Sequence, residues 1–257
     1  MINFFFSCVV IFLSIETFAN NAFYISISNQ VARKQGMEVS ANNAANVNTI
    51  GYEQDASLFR AAPAGVANFE HNQFVEVRGL YKTGDLGPLK TTNRSLDISV
   101  SENHQYLKLM TPKGPRYTLS GSFFRASNGV ISDSSGNHLL SQNDDVLEIP
   151  ENISDLKVLE NGSILADGEE IGKIGVHYVA DRNTLIKEGT SLYKSNQNTI
   201  ALDDYTIISG ALRASNVNSA QVIAEVMEAQ RSFSSATSLL SEIGELEKQA
   251  VGKIIKP

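Results

Sequence analysis

The stretch Ser219-Ala-Gln-Val-Ile-Ala-Glu-Val-Met-Glu-Ala-Gln-Arg-Ser-Phe-Ser-Ser-Ala-Thr-Ser-Leu-Leu-Ser-Glu-Ile-Gly-Glu-Leu-Glu-Lys-Gln-Ala250 carries the clearest periodicity in the chain. From here to residue 254, apolar or small residues recur at alternating spacings of four and three, with one charged member. This pattern is the heptad seam of a helix that packs against other helices. The seam consists of Val222, Val226, Ala229, Phe233, Ala236, Leu240, Ile243, Glu247, Ala250 and Ile254.

A helix of roughly 50 Å cannot bury such a seam inside a small domain, so it needs a partner helix. The segment 20–47 is the obvious partner within the chain, because Phe23, Ile27 and Val31 share one helical face. We expect this second helix to be about 40 Å long. It should stop within 46–51, where asparagine and glycine tolerate the left-handed conformation that ends helices.

Between the two helical ends, short apolar or alternating runs are separated by turn residues. Leu96, Ile98 and Val100 alternate onto one face, and 171–179 is predicted to form one strand. Four turn sequences, each flanked by strand-like runs, predict hairpins. They are Asn128-Gly129, Ser135-Gly136-Asn137, Asn161-Gly162 and Asp167-Gly168.

The sequence therefore predicts an α+β fold in which long N- and C-terminal helices pack as a coiled coil, with an inserted antiparallel β-domain. Residues 20–60 and 208–257 form the discontinuous helical axial domain in this prediction, and 61–207 form the β-domain. Residues 1–19 are set apart as an apolar leader or extension. The length and Thr17-Phe18-Ala19 suit a secretory signal, whereas the absence of Lys and Arg favours an extension or a mis-set gene start.

Composition excludes several classes of function. The 257 residues include 21 Lys and Arg against 28 Asp and Glu, a net charge of −7. An acidic chain without a basic cluster is poorly suited to nucleic acid. Its one cysteine, Cys8, leaves no intramolecular disulfide and no Cys-rich zinc site.

No pattern of catalytic or ligand-binding residues emerges. The histidines occupy four separate contexts, and none forms a metal motif. They are His71, His104, His138 and His177. The adjacent pairs Asp144-Asp145 and Asp203-Asp204 are expected to point apart or into solvent. We predict no catalytic, cofactor-binding or metal residues, no cofactor and no small-molecule substrate, although a triad assembled from distant residues stays open.

The most unusual stretch holds four asparagines, Asn42, Asn43, Asn46 and Asn48, among alanines. Alanine permits close approach of helices, and each amide is both donor and acceptor. We interpret this stretch as a turn whose amides bond neighbouring backbones rather than as a frayed helix end.

Four blocks in order along the chain resemble the bacterial flagellar rod and hook family of axial proteins. The first is Ala41-Asn-Asn-Ala-Ala-Asn-Val-Asn-Thr-Ile-Gly-Tyr52, and the second is Leu86-Gly-Pro-Leu-Lys-Thr-Thr-Asn-Arg-Ser-Leu-Asp-Ile-Ser-Val100. The third runs from Arg116-Tyr-Thr118 to Gly129, and the fourth is Gly210-Ala-Leu-Arg-Ala-Ser-Asn-Val-Asn218 with Glu228-Ala-Gln-Arg-Ser-Phe233. The tail is most similar to the proximal-rod F type, with the distal-rod G type second. Arg213 departs from the family, which usually has Glu there.

The resemblance implies a structural subunit of the flagellar basal-body rod, located in the rod and exported by the flagellar type III apparatus. Its implied partners are other rod proteins, copies of itself and the export apparatus. We expect assembly contacts at an inner turn, at the start of the second helix and along the seam. These residues are Asn42, Asn43, Asn46, Asn48, Gly51, Ser215, Asn216, Val217, Val226, Phe233, Leu240 and Ile243.

Two other interpretations stay open. One is a secreted or periplasmic β-domain enzyme, which the signal-like leader favours and the missing catalytic pattern opposes. The other is a different axial subunit of the distal rod or hook.

Overall fold

The computed structural model describes residues 27–63, 73–82, 85–153 and 155–254. These residues contain helix α1 at 27–45, helix α2 at Ser219–Ile254 and a short 3-10 turn at Arg182–Thr184. The leader expected at 1–19 and the first part of the predicted N-terminal helix lie outside the described residues. No described helix is both long enough and apolar enough to cross a membrane.

The described chain also contains eighteen strands. They are β1 (Asp55–Pro63), β2 (Gln73–Lys82), β3 (Leu89–Thr91), β4 (Ile98–Val100), β5 (Gln105–Thr111), β6 (Gly114–Thr118), β7 (Phe124–Arg125), β8 (Ile131–Ser132), β9 (His138–Leu139), β10 (Leu156–Val158), β11 (Ser163–Ala166), β12 (Glu169–Lys173), β13 (Val176–Tyr178), β14 (Leu185–Glu188), β15 (Leu192–Ser195), β16 (Ile200–Ala201), β17 (Ile207–Ser209) and β18 (Ala211–Arg213).

These strands form five sheets among the described residues. The largest has nine strands, in the order β14-β15-β6-β5-β9-β8-β7, with β13 paired to β5 and β16 paired to β13. Strands β10, β11 and β12 form a separate sheet, and the pairs β1–β2, β4–β17 and β3–β18 form the other three.

The chain divides into two compact units. The first takes its described residues from 1–42, 56–81 and 220–257, and the second consists of 43–55 and 82–219. The predicted domain boundaries, 20–60 with 208–257 and 61–207, stay a prediction.

The hydrophobic core of the second unit is built on the largest sheet. Tyr106 of β5 and Tyr193 of β15 are almost fully buried, and their rings meet edge to face with centroids 5.7 Å apart. Phe123, Ile98 and Ile164 join the same cluster. Each such side chain contributes roughly 1.5–3 kcal/mol when it leaves water, which makes this cluster the main source of the unit's stability.

The four predicted hairpins are confirmed. Antiparallel pairs join β7 to β8, β8 to β9, β10 to β11 and β11 to β12 across the four turn sequences. The alternation at 96–100 also ends in a buried strand, β4, which pairs with β17. These features were predictable because a turn sequence and its two flanking strands are local in the chain.

The prediction of one strand over 171–179 is wrong. The backbone changes partner in the middle of this stretch, so it forms two strands in different sheets. Strand β12 pairs with β11, Ile174 then forms an isolated bridge with Ser141, and β13 pairs with β5 and β16. Apolar continuity along the sequence carries no information about which strand lies alongside.

The predicted fold class, long terminal helices packed as a coiled coil around an inserted β-domain, is also wrong. The described chain is mainly β. Helix α1 covers roughly 28 Å, against roughly 54 Å for the 36 residues of α2. An apolar period shows which side chains share a face, but it does not show how much of that face a partner helix covers.

The two helices nevertheless make direct contacts within the first unit. Gln30 Nε2 donates to Thr237 Oγ1 at 3.0 Å, and Ser40 Oγ donates to Glu225 Oε2 at 3.2 Å. Because the partner number falls as the α1 number rises, the helices run antiparallel over this stretch. Both bonds are exposed, so each adds little to stability.

We expect the free energy of unfolding to depend on pH through His177. This side chain is 5% exposed, and burial, aided by Lys108, lowers its pKa to about 4. A buried neutral histidine stabilises the fold above the unfolded pKa near 6.5 and loses this contribution as the pH falls towards 4. Urea unfolding should therefore show up to about 3 kcal/mol of loss from this group across that window, and much less in H177Q. An equal pH dependence in both proteins would contradict the assignment.

Candidate functional site

The chain passes between its two units at four places, 42/43, 55/56, 81/82 and 219/220. On the side of the second unit, the residues next to these connections belong to segments that hydrogen-bond to one another. We call the described residues of 43–55, 82–91 and 211–217 the crossing cluster. Helix α1 ends within this cluster, and α2 begins shortly after its last segment.

Asn43 is the central amide of the cluster and is 2% exposed. Its Nδ2 donates to the carbonyl of Asp55 at 2.8 Å. Its Oδ1 accepts from the hydroxyl of Tyr52 at 3.0 Å and from the amide of Asp55 at 3.2 Å. The side chain thus pairs both backbone groups of the first residue of β1.

The turn after α1 is closed by backbone and side-chain bonds. The Asn46 amide donates to the Asn43 carbonyl at 3.0 Å, and the Thr49 amide donates to the Asn46 carbonyl at 3.1 Å. Thr49 Oγ1 also donates to Asn46 Oδ1 at 3.0 Å. The Gly51 amide then donates to the carbonyl of Arg213 at 2.8 Å, which attaches the turn to the end of β18.

Gly51 is required at this turn for two reasons. Its φ of +68° is a left-handed conformation that other residues adopt only with strain. A Cβ placed on it would also lie 2.4 Å from the carbonyl carbon of Leu119 and the amide nitrogen of Ser120. The backbone of the turn therefore lies directly against the backbone of the loop that follows β6.

Asn216 lies in residues 211–217, which lead from β18 to α2 and which we call the exit segment. Its side chain pairs backbone groups there, as the side chain of Asn43 does at the turn after α1. Its Oδ1 accepts from the Gln54 amide at 2.7 Å, and its Nδ2 donates to the Asp85 carbonyl at 2.8 Å. Next to it, the buried Ser215 Oγ accepts from the Val217 amide at 3.3 Å. One amide side chain therefore holds three segments of the cluster together.

A buried ion pair lies beneath the turn. Glu53 Oε1 accepts from Arg182 Nη1 at 2.8 Å, and both side chains are at most 5% exposed. Glu53 Oε2 accepts from the hydroxyl of Tyr106 at 3.0 Å. Burial first, and then Glu53, raises the pKa of Tyr106 above its ordinary value, so this hydroxyl remains a donor.

Asp55 is held by two lysines, one from each side. Lys187 Nζ lies 2.9 Å from Asp55 Oδ2 and 3.7 Å from the centre of the Tyr52 ring. Lys82 Nζ lies 3.4 Å from Asp55 Oδ1. Asp55 is the first residue of β1 and Lys82 is the last residue of β2. Their ion pair therefore joins the two ends of the β1–β2 segment.

Comparison with known proteins gives a consistent set of relatives. The family described as "Flagellar basal body rod FlgEFG protein C-terminal" matches residues 208–252. A flagellar basal-body rod protein FlgF of Caulobacter vibrioides is 27% identical over 243 residues, covering 92% of this chain and 99% of the relative. A flagellar basal-body rod protein FlgG of Bacillus subtilis is 25% identical over 256 residues, covering 89% and 97%.

Over about nine tenths of its length, the chain is similar to proteins of the flagellar rod and hook family. The resemblance drawn from its four sequence blocks is confirmed, and the relatives support a rod protein, with the F type first. A flagellar hook-basal body complex protein FlhO of Bacillus subtilis is also 26% identical over 270 residues, covering 91% of this chain and 98% of the relative.

The structure places the residues predicted from the axial family in three environments. Asn43, Asn46, Gly51, Ser215 and Val217 are buried in the crossing cluster, and Asn216 is partly buried there. Asn42 and Asn48 are exposed. On α2, Val226 is partly buried and Phe233 is 38% exposed, whereas the side chains of Leu240 and Ile243 lie outside the described residues. Their roles as assembly contacts stay predictions.

Sequence reasoning missed the charged residues of the cluster. Glu53 and Asp55 follow the asparagine turn directly, but their partners, Arg182 and Lys187, are more than a hundred residues away. No local spacing connects such residues. The single available signal was the position of two carboxylates immediately after Gly51 and Tyr52.

Replacing Gly51 tests the close approach of the turn to the loop that follows β6. G51A should lower the free energy of unfolding by more than the roughly 1–2 kcal/mol that a left-handed alanine costs, because its Cβ also collides with backbone. The matched control is G136A, since Gly136 has a φ of +80° and nothing within 4 Å of its Cβ position. Urea unfolding of both variants measures the difference, and equal losses would contradict the geometry.

Proposed function

We propose that this protein is a structural subunit of the bacterial flagellar basal-body rod, of the proximal type, and that it assembles through its terminal helices. The observation that carries the proposal is the family match at 208–252. This range starts just before β18, includes the exit segment with Ser215 and Asn216, and covers most of α2. The region that defines the family is therefore the part of the chain that leaves the second unit as a long helix.

The surface of α2 supports an assembly role. Several large apolar side chains are exposed along the helix in addition to the seam residue Phe233, namely Ile223, Met227, Leu239 and Leu246. Covering the exposed part of one such side chain provides a fraction of the roughly 1.5–3 kcal/mol that complete burial of a large apolar side chain is worth. Neighbouring subunits that cover these side chains would therefore stabilise the assembled helix well beyond its state in the monomer.

The seam itself is only partly covered in the single chain. Val222 is fully buried, Val226 and Ala229 are partly buried, and Phe233 is exposed. Burial along the described part of the seam is greatest at Val222, at the start of α2, and Ala236 is again partly buried beyond the exposed Phe233. We propose that the first turn of α2 is positioned by its own chain and the later turns by its neighbours.

Contacts of this kind between unlike surfaces, when they do not close into a ring, produce a helical filament. The partners in this scheme are other rod proteins and copies of the same chain, with the export apparatus needed before assembly. The second unit, with its large sheet and buried core, supplies a preformed body that each subunit brings to the filament. No catalytic step is needed for this role.

The interpretation as an enzyme gains no support from the described surface. A cleft of about 400 Å³ is lined mainly by hydroxyl groups and two carboxylates, Asp133 and Glu188. Glu188 is already paired with Arg116 at 2.9 Å, and Asp133 binds the backbone of its own turn. The described lining includes no histidine, cysteine or lysine. The G-type relatives make a distal-rod subunit the second candidate.

The seam is tested with a matched pair of substitutions on α2. In cells lacking the chromosomal gene, F233D should abolish incorporation into purified basal bodies and swimming motility, because a charge would be buried against neighbouring subunits. The control S235D introduces the same charge at an exposed serine that lies off the seam and outside the set of exposed apolar side chains, and it should retain incorporation.

Incorporation is measured by quantitative mass spectrometry of basal bodies, with circular dichroism to show that both variants fold. Wild-type incorporation of F233D would contradict assembly through the seam. Complete rods in cells without the gene would contradict the rod function itself.

A further inference from the structure

Arg213 is a charged side chain buried at the end of β18 without a carboxylate. The residue is 9% exposed. Its Nη2 donates to the Val100 carbonyl at 2.6 Å, and its Nη1 donates to the Gly87 carbonyl at 3.1 Å. Among the described residues Arg213 forms no ion pair, and its Nε is buried without a hydrogen-bond partner. Burial lowers the pKa of this guanidinium from its ordinary value.

Burying a charge without a counter-charge is unfavourable. For Arg213 this cost is offset by charge-assisted hydrogen bonds to two backbone carbonyls. Here the two acceptors belong to different parts of the second unit. Val100 ends β4, which pairs with β17, whereas Gly87 leads into β3, which pairs with β18. The guanidinium therefore links two separate two-stranded sheets by their backbones.

The backbone of the same residue holds the asparagine turn. The Arg213 carbonyl accepts from the Gly51 amide at 2.8 Å, and the next amide, that of Ala214, donates to the Pro88 carbonyl at 2.9 Å. Two residues further on, Asn216 makes the bonds that join the exit segment to Gln54 and Asp85. Residue 213 thus lies within three residues of each of these contacts of the exit segment.

We propose that Arg213 is the positioning residue of the exit segment, holding residues 211–217 in place within the second unit against the asparagine turn and the residues before β3. This inference rests on the proposed rod function, because the placement of that segment bears on assembly only if the helix that follows it packs among neighbouring subunits. A planar guanidinium presents several donors in a fixed arrangement and reaches two carbonyls at once. A lysine ammonium is a point charge, and a methionine has no donor.

The experiment compares full-length R213M, R213K and R213E with the wild type. The control is R125M, since Arg125 is an exposed arginine that donates to a single carbonyl, that of Ile149, at 3.2 Å. Site-resolved amide hydrogen exchange on the purified proteins reports the Gly51 and Ala214 amides. Basal-body incorporation in cells lacking the gene reports assembly.

In R213M we expect cooperative unfolding to be retained, the Gly51 and Ala214 amides to exchange at least tenfold faster, and incorporation to fall at least tenfold. R213K should lie between R213M and the wild type in both measurements. R213E should show exchange at least as fast and incorporation at least as low as R213M, because its carboxylate would face two carbonyl oxygens. R125M should behave as the wild type.

Wild-type exchange at Gly51 in R213M would overturn the proposal, and so would wild-type incorporation. If R213M fails to fold, the test rests on R213K. Exchange of the Gly51 and Ala214 amides at the wild-type rate in R213K would then overturn the proposal. Absence of the wild-type chain from basal bodies would instead refute the rod function. The exchange result would still decide whether Arg213 holds the exit segment.

Discussion

Two asparagine side chains satisfy the backbone of residues 54 and 55, which lie where the chain leaves α1's turn and enters β1. Asn43 binds both the amide and the carbonyl of Asp55, and Asn216 binds the amide of Gln54. Buried backbone groups must be paired, and Tyr52 to Gln54 belong to no strand or helix. Each asparagine uses its oxygen as acceptor and its nitrogen as donor. An aspartate could not donate, so the amide is the chemistry that the site requires.

The charged side chains around these amides select one position of the 43–55 segment more than they add to the free energy of unfolding. Breaking the buried Glu53–Arg182 pair would strand one charge in the interior, which is strongly unfavourable, whereas the intact pair roughly balances its own desolvation. Competing positions of the 43–55 segment would separate this pair as well as the two lysines that bind Asp55. The electrostatic network therefore selects one register for the segment that follows the asparagine turn, and the hydrophobic core beneath it supplies the stability.

The predictable parts of this structure are the local ones. Turn sequences such as Asn161-Gly162 identify hairpins because both strands lie within a few residues. The resemblance to the axial family pointed to Asn43, Gly51 and Asn216 before their contacts were known. Strand pairings across long separations left no signal in the sequence, and the same is true of Glu53 with Arg182, 129 residues apart. The prediction of the fold class was wrong for a related reason. The apolar repeat of α2 shows which of its side chains share a face, but it does not show which element packs against that face.

We infer that each subunit holds its own crossing cluster rigid and leaves the later turns of α2 for its neighbours to cover. Amide hydrogen exchange of the free protein and of the protein within purified basal bodies tests it most directly. We expect the amides of Gly51, Gln54 and Asp55 to exchange slowly in both states, and the amides of α2 beyond Phe233 to exchange slowly only in the basal body. Slow exchange throughout α2 in the free monomer, or fast exchange at Gly51, Gln54 and Asp55 in the free monomer, would show that neighbours do not complete the helix in this way.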